Sequence, residues 1–349
     1  MSKNHYIIPI FVPHEGCPHT CVFCNQNSIT GIQQKIDGEY VRRTIEEYLE
    51  TIDHTNATIE VSFFGGTFTA ININKQRELL KVAKEFKDIG KIKYIRMSTR
   101  PDYIDEFILE NLKQYDADII ELGVQSLDDE VLIKSGRGHS AEDVEKASKL
   151  IKEYGFTLGH QIMLGLPGDT EEKDINTARK SIEMKPDICR IYPSLVIKNT
   201  PMELLLERKE YSPYTLDEAV EISKNIYKMY AANGINVIRI GLQPTEEINY
   251  DKEIVEGPFH PAFRELVESS IYKDLILKYV SINGELNSLK INPKDISKLY
   301  ANKKRYFNDM LKNINKSKLK VYQDDKIKRG SIELNFIDKD VLVSELDVL

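Results

Sequence analysis

Short apolar segments suited to β-strands alternate with longer amphipathic segments suited to helices along the first 250 residues. The strand-like segments are rich in Ile and Val and lie at 6–12, 59–64, 92–98, 118–125, 157–165 and 188–197. Between them, apolar side chains recur at helical spacing over 39–53, 74–88, 103–115, 141–154 and 171–184. An interval of roughly 30 to 50 residues between strands is that of a strand–helix–strand unit, which builds a parallel sheet with right-handed crossovers.

These units predict an α/β protein with a partial (β/α) TIM-type barrel of about six parallel strands. A seventh strand at 236–243 can follow a long helix over 215–233, and a doubly wound open sheet is the alternative. In both arrangements, ligands bind at the carboxyl ends of the strands. Polar and Gly-rich segments follow the strands at 65–69, 99–102, 135–139 and 165–170. We therefore expect the functional site on that one face.

The alternation ends near residue 250, which divides the chain into a core barrel over 1–250 and an extension over 251–349. The extension is predicted to be small and mostly helical, with helices near 262–279 and 294–314 and a short strand-like end. Its segment 303–329 contains ten Lys or Arg against three Asp, a balance of +7, which leaves −14 on the remainder of a chain of net charge −7. A basic segment on an acidic body fits either a solvated helix face or an RNA-contacting surface.

Composition indicates a globular protein of the cytoplasm without membrane contact. The early apolar run at 7–12 is far shorter than the roughly 20 residues of a membrane span, and no signal peptide surrounds it. Four cysteines, three of them clustered, do not make a disulfide framework. In a reducing compartment, such a cluster favours a metal or redox role.

The clustered thiols are those of Cys17, Cys21 and Cys24, spaced C-x3-C-x2-C in one short loop. Such a loop can hold zinc or an iron–sulfur cluster. A structural zinc site needs a fourth ligand, for which His14, His19 or Cys189 are the candidates, and a ferredoxin-type carrier also needs a fourth cysteine. A cluster on three cysteines keeps one iron open to a substrate or cofactor.

The cysteine spacing, with Phe23 before the last cysteine, resembles the radical S-adenosylmethionine (radical SAM) superfamily. Four further segments match its motifs in order: FFGGTFT at 63–69, STRPD at 98–102, ELGVQS at 121–126 and QIMLGLPGDT at 161–170. The resemblance implies a four-iron four-sulfur cluster on the three cysteines, with S-adenosylmethionine chelating the open iron. It also implies a set of cofactor-binding residues, namely Phe23, Gly65, Gly66, Thr67, Ser98, Arg100, Gln125 and Met163.

Over residues 6–250 the amino-acid sequence of the motifs resembles that of the radical module of the Elongator complex's catalytic subunit and its short bacterial relatives. Further matches are GRGH, IYPSLVIKNT and NVIRIGLQPTEEI. The resemblance implies an enzyme that reductively cleaves S-adenosylmethionine to a 5'-deoxyadenosyl radical, with tRNA as its partner and flavodoxin or ferredoxin as its electron donor. We expect this chain to lack the acetyltransferase domain of that subunit, because 349 residues leave too little room for it after the radical module. The alternatives are a radical enzyme acting on a small metabolite and a zinc-stabilised RNA-binding protein.

Several single residues have simpler interpretations. Cys189 and His160 lie in strand-like segments and are expected to be buried core residues. His139 lies on a loop expected to face the site. Arg190 and Arg239 also lie within strands, where an unpaired buried charge is costly, so each is expected to pair with a carboxylate or a bound anion.

Overall fold

The computed structural model describes residues 5–12, 17, 19–25, 36–52, 57–243, 249, 252–345 and 347. The first half of the chain alternates strand and helix. Its elements are β1 (His5–Val12), α1 (Gly38–Thr51), β2 (Thr58–Gly65), α2 (Ile73–Asp88), β3 (Tyr94–Thr99), α3 (Glu106–Gln114), β4 (Ile119–Gln125), α4 (Asp129–Lys134), α5 (Ala141–Glu153), β5 (Thr157–Leu164), α6 (Glu171–Glu183) and β6 (Ile188–Pro193).

The second half adds two more units. The first continues the alternation with β7 (Val196–Ile197), α7 (Pro201–Glu207), α8 (Leu216–Ala232), β8 (Asn236–Ile240) and β9 (Ile254–Glu256). The second contains α9 (Phe263–Asn283), β10 (Leu286–Ile291), α10 (Ile296–Leu299), α11 (Ala301–Asn313), β11 (Lys320–Gln323), β12 (Ser331–Phe336) and β13 (Asp340–Ser344).

Seven parallel strands form one curled sheet in the order β1-β2-β3-β4-β5-β6-β8. The predicted partial (β/α) barrel is thereby confirmed, and β8 supplies the seventh strand. Because all seven strands are parallel, their carboxyl ends lie along a single edge of the half-barrel, where sites of such folds are formed.

The two faces of the sheet differ in polarity. In β5, His160, Ile162 and Leu164 are fully buried, whereas Gln161 and Met163, which alternate with them, are half-buried. The apolar residues of the outer face form one large core with the helices that cover it. Each fully buried Ile or Leu in such a core contributes about 1.5 to 3 kcal/mol. The inner face carries buried charged side chains such as Glu60 and Glu121 together with half-buried apolar ones such as Phe64 and Met163.

Helix caps fix where the loops at the carboxyl edge end. The side chain of Ser140 accepts a hydrogen bond from the Asp143 amide, and the Asp143 carboxylate accepts one from the Ser140 amide. This reciprocal pair starts α5 directly after the 135–139 loop. Thr215 and Glu218 form the same arrangement at the start of α8.

The C-terminal extension contains both helices and a second sheet. Helix α9 contributes Phe263 and Ile271 to the main core, and its residues from Tyr272 onward belong to a separate core. The four-stranded sheet β11-β10-β12-β13 completes that second core and is more extensive than the predicted short strand-like end. Helix α11 begins with left-handed backbone at residues 302–304. We propose that the boundary between the core barrel and the C-terminal extension lies near residue 250.

The lengths and hydropathies of the helices bear on membrane contact. Within the ranges described above, none is both long and apolar enough to cross a bilayer.

Candidate active site

The cysteine loop lies across the carboxyl edge of the half-barrel. Cys17 Sγ lies 3.4 Å from Thr67 Oγ1, directly after β2. Arg137 Nη1 donates a hydrogen bond of 3.2 Å to Cys21 Sγ, and Asn25 Nδ2 donates one of 3.1 Å to the carbonyl of Lys198 after β7. The loop therefore touches three of the segments that follow strands on this face.

All four cysteines are thiols. Cys21 is buried, and Cys17 and Cys24 are half-buried. Among the side chains that the structure describes, no three His, Cys, Asp or Glu are gathered closely enough to hold a metal ion. The donor set nevertheless fits an iron–sulfur cluster chemically, because the three thiols lie on one short loop and those of Cys17 and Cys21 contact segments at the edge where ligands bind.

Zinc would require a fourth ligand, and the structure describes two of the three predicted candidates. Cys189 is fully buried in β6 on the outer face, where burial raises the pKa of its thiol to about 12. It therefore serves as the expected core residue. His19 is exposed on the cysteine loop, and His14 lies outside the described residues.

The segment after β2 depends on a glycine. Gly65 has φ +108°, and a Cβ atom there would lie 2.9 Å from the carbonyl oxygen of Val12. The next amide, that of Gly66, donates a hydrogen bond of 2.8 Å to the same oxygen. This close approach of two backbones places the buried Thr67 beside Cys17.

The SGRGH loop at 135–139 packs directly against the cysteine loop. The amide of Val22 donates a hydrogen bond of 3.1 Å to the carbonyl of Ser135. Gly136 has φ +63°, and a Cβ atom there would lie 3.2 Å from the carbonyl oxygen of Thr20. Small residues are therefore needed in this loop for the two segments to meet.

Other predicted cofactor-binding residues lie on the inner face or at the strand ends. Ser98 and Met163 are half-buried on the inner faces of β3 and β5. Gln125 ends β4 with φ +65°, and its side-chain oxygen lies 3.5 Å from Gln161 Nε2. Arg100 is buried and donates two hydrogen bonds of 2.9 Å to Asp102, so its guanidinium already has a carboxylate partner. Phe23 is half-buried in the turn between the second and third cysteines.

A buried charge network crosses the inner face below these residues. Arg190 Nε donates a hydrogen bond of 2.7 Å to Glu121 Oε1, which confirms the expectation that Arg190 pairs with a carboxylate. Arg96 lies between Glu121 and Glu60, donating hydrogen bonds of 3.5 Å and 3.1 Å to them. Arg239 is half-buried on β8, and the described part of the chain supplies it with no ion pair.

Two buried histidines, His139 beside this face and His160 on the outer face, are held neutral. Burial, followed by the charges of Arg137 and Arg100, lowers the pKa of His139 to about 3, and its Nε2 lies 3.2 Å from the carbonyl oxygen of Val124. His160 is fully buried between the hydroxyls of Ser148 and Ser181, at 2.9 and 2.8 Å, which confirms its expected role as a core residue.

The contact between Arg137 and Cys21 is one feature of the site that the sequence did not reveal. Arg137 lies in the SGRGH motif, in which the histidine was the residue expected to face the site. The two residues in contact are 116 positions apart, so no local spacing connects them. The buried Glu60 and Arg96 were also missed, although polar residues alternating with apolar ones inside a strand are a usable signal.

Comparison with protein-family models defines the class of protein. The model of the Radical SAM superfamily matches residues 11–180, and that of the Radical_SAM C-terminal domain matches residues 186–273. The chain therefore belongs to the radical SAM superfamily of enzymes, as the cysteine spacing and the four motifs predicted.

The relatives within that class are Elongator-like. The chain is 30% identical over 255 residues to the tRNA uridine(34) acetyltransferase of Methanocaldococcus jannaschii, covering 62% of this chain and 47% of that protein. It is 27% identical over 260 residues to the Elongator complex protein 3 of Homo sapiens, covering 61% and 47%. The solved Elp3 of Methanocaldococcus infernus, with an N-terminal deletion, superposes with a TM-score of 0.60 at 25% identity, covering 81% of this chain and 64% of that chain. The chain spans about half the length of the first two relatives.

Proposed function

We propose that this protein is a radical SAM enzyme whose four-iron four-sulfur cluster is held by Cys17, Cys21 and Cys24, and that it modifies tRNA. The position of the cysteine loop carries the proposal. Its thiols reach both the segment after β2 and the 135–139 loop, so ligands on this loop would face the open inner face of the half-barrel. When bound, the cluster and S-adenosylmethionine supply one-electron cleavage of the sulfonium and a carbon radical that removes hydrogen from an unreactive carbon.

The residues of the chain would bind and orient the cofactor and shield it from water. Gly65, Gly66 and Thr67 bring backbone and a buried hydroxyl beside Cys17. Ser98, Gln125 and Met163 lie farther along the inner face, where the remainder of the cofactor would extend. Phe23 would pack against the cluster. Arg100, whose guanidinium is held in place by Asp102, would contact the cofactor from that fixed position. An external flavodoxin or ferredoxin would supply the electron.

The names of the relatives and the basic extension support tRNA as the substrate. The M. jannaschii relative is a tRNA uridine(34) acetyltransferase. In the segment 303–329, Arg305 pairs with Asp217, Lys316 with Glu285 and Arg329 with Asp295. The other seven cations are exposed and have no carboxylate partner within the described ranges, namely Lys303, Lys304, Lys312, Lys318, Lys320, Lys326 and Lys328. Unpaired surface cations are suited to neutralise phosphates.

The test is a filter-binding titration of tRNA at two salt concentrations. The triple variant Lys303→Glu, Lys304→Glu and Lys318→Glu avoids Arg305, whose reversal would set two carboxylates face to face. We expect weaker tRNA binding and a flatter dependence on salt, since each phosphate contact to a single strand contributes about −0.7 to the log–log slope. Cleavage of S-adenosylmethionine in the absence of tRNA should stay unchanged.

A matched control separates this surface from overall charge. Lys81, Lys91 and Lys113 are exposed and lie outside the basic segment. Their replacement with Glu changes the net charge equally and should leave the salt slope in place. Negligible tRNA affinity of the unaltered protein at low salt would favour a small-metabolite substrate. Stoichiometric zinc in place of iron would favour a zinc-stabilised RNA-binding protein.

A further inference from the structure

Arg137 is a buried cation to which the described residues offer no carboxylate partner. Arg137 is only 6% exposed. Nη2 donates a hydrogen bond of 2.7 Å to the carbonyl of Gly123, and Nη1 donates one of 3.2 Å to Cys21 Sγ. Its Nε has no hydrogen-bond partner, and no carboxylate in the described part of the chain forms an ion pair with it.

Burial of an unpaired charge costs several kcal/mol, so an anion is expected nearby. The groups around Arg137 that the structure describes supply none. The carboxylate of Asp102 is held by two hydrogen bonds from Arg100. His139, two residues farther along the chain, donates from Nε2 to a carbonyl, and its Nδ1 has no partner. Among the described residues, the sulfur of Cys21 is therefore the one atom of potential negative charge that the guanidinium touches.

The backbone holds the guanidinium in this position. A Cβ atom on Gly123 would lie 3.2 Å from Nη2, so a side chain at that position would crowd the guanidinium. On the other side, the close contact of Gly136 with Thr20 fixes the distance between the two loops. The contact with Cys21 is thus built by two separate segments, the end of β4 and the 135–139 loop.

We propose that Arg137 is a positioning residue that raises the reduction potential of the cluster held by Cys21, through its charge and its N–H···S hydrogen bond. This inference rests on the proposed function, since it requires the cluster. Net charge and hydrogen bonds to sulfur are among the factors that set cluster potentials. A nearby cation stabilises the more negative, reduced state, so the cluster accepts an electron from a weaker reductant.

The test is an anaerobic redox titration with dithionite, followed by electron paramagnetic resonance of the reduced cluster. The reconstituted proteins would be the unaltered chain, Arg137→Gln, Arg137→Lys and the control Lys134→Gln. Lys134 is exposed on α4 and pairs with Glu130, so its replacement removes a nearby charge without altering the sulfur contact. Iron content and visible absorption are measured on every sample first.

We expect Arg137→Gln to lower the equilibrium constant for one-electron reduction about tenfold, which corresponds to a midpoint lower by about 59 mV. Arg137→Lys should restore most of the difference because it keeps the charge, and Lys134→Gln should match the unaltered protein. Equal midpoints in Arg137→Gln and the unaltered protein would overturn the inference while leaving the cluster itself established. If both Arg137 variants lose their iron, the role is in cluster retention and the assignment to potential is wrong. Absence of a cluster from the unaltered protein would instead contradict the proposed function.

Discussion

Cys17 Sγ lies 3.4 Å from Thr67 Oγ1, although the two residues follow different strands and are 50 positions apart. Thr67 is 1% exposed, so its hydroxyl contacts the thiol and is not accessible to solvent. The contact joins the cysteine loop, proposed to hold the cluster, to the glycine-containing segment after β2, proposed to bind the cofactor.

Replacing Thr67 tests that junction. Thr67→Val keeps the shape of the side chain and removes its hydroxyl, whereas Thr67→Ser keeps the hydroxyl. In the proposed function, the Thr67 hydroxyl helps to bind the charged cofactor, and a buried hydrogen bond to a charged group contributes about 1.5 to 3 kcal/mol. We therefore expect about a tenfold or greater loss of S-adenosylmethionine affinity in Thr67→Val, with near-normal affinity in Thr67→Ser and unchanged cluster absorption in both. Equilibrium dialysis with the reconstituted proteins measures it, and equal affinity in all three would leave Thr67 a packing residue.

Gly65 should be intolerant of a side chain for reasons of stability. Its φ of +108° opposes Gly65→Ala, and so does the 2.9 Å distance that would separate the new Cβ atom from the Val12 carbonyl oxygen. We expect a loss of about 2 to 3 kcal/mol in the free energy of unfolding, measured with urea. Gly90 also has positive φ, at +71°, but has nothing within 4 Å of its missing Cβ. Gly90→Ala should cost only about 1 kcal/mol, and a cost equal to that of Gly65→Ala would mean that the contact with Val12 is unimportant.

Glu121 and Arg190 should show strong energetic coupling. Glu121 is 3% exposed and accepts hydrogen bonds from Arg190 and Arg96. Glu121→Gln leaves two buried cations with less counter-charge, and we expect it to lower the free energy of unfolding by about 3 kcal/mol. In a double-mutant cycle with Arg190→Met, the double variant should be more stable than the sum of the two changes by about 1 to 3 kcal/mol. Additive losses would show that the pair is not coupled.

His160 predicts a specific dependence of stability on pH. Burial, with a smaller effect of the Lys152 charge, lowers the pKa of its imidazole from 6.5 to about 3. The unfolded chain therefore takes up this proton first, and the stability due to the neutral form is lost as pH falls from 6.5 toward 3. The loss amounts to about 1 kcal/mol per pH unit in that window. In His160→Gln, urea unfolding between about pH 7.5 and about pH 5 should show a shallower slope, and an unchanged slope would contradict the assignment.

The elements that the sequence predicted are those with long, regular patterns. The strands that form the half-barrel and the helices between them lie within a few residues of their predicted positions. Short elements were not predicted. Helices α4 and α7 have six and seven residues, which are too few to show helical periodicity, and strand β7 has only two residues. The C-terminal sheet was also under-predicted: β11 has only four residues and is largely exposed, whereas the alternation of Ile332, Leu334 and Phe336 in β12 was a usable signal.

The candidate site likewise contains parts that the sequence predicts and parts that only the structure shows. The cysteines and the Gly-rich segments are local motifs, so sequence alone placed them on one face. The partner of Arg190 could be expected to be a carboxylate, but Glu121 is 69 positions away, and only the register of β4, β5 and β6 brings the two together. Arg137 required the packing of two loops, which no spacing in the sequence encodes.

The most direct test of the account is the metal content of the protein after anaerobic reconstitution with iron and sulfide, measured beside Cys21→Ala. We predict about four irons and four sulfides per chain in the unaltered protein, with formation of 5'-deoxyadenosine when dithionite and S-adenosylmethionine are added, and loss of both properties in the variant. A protein that folds normally, binds one zinc instead of iron and yields no 5'-deoxyadenosine would contradict it.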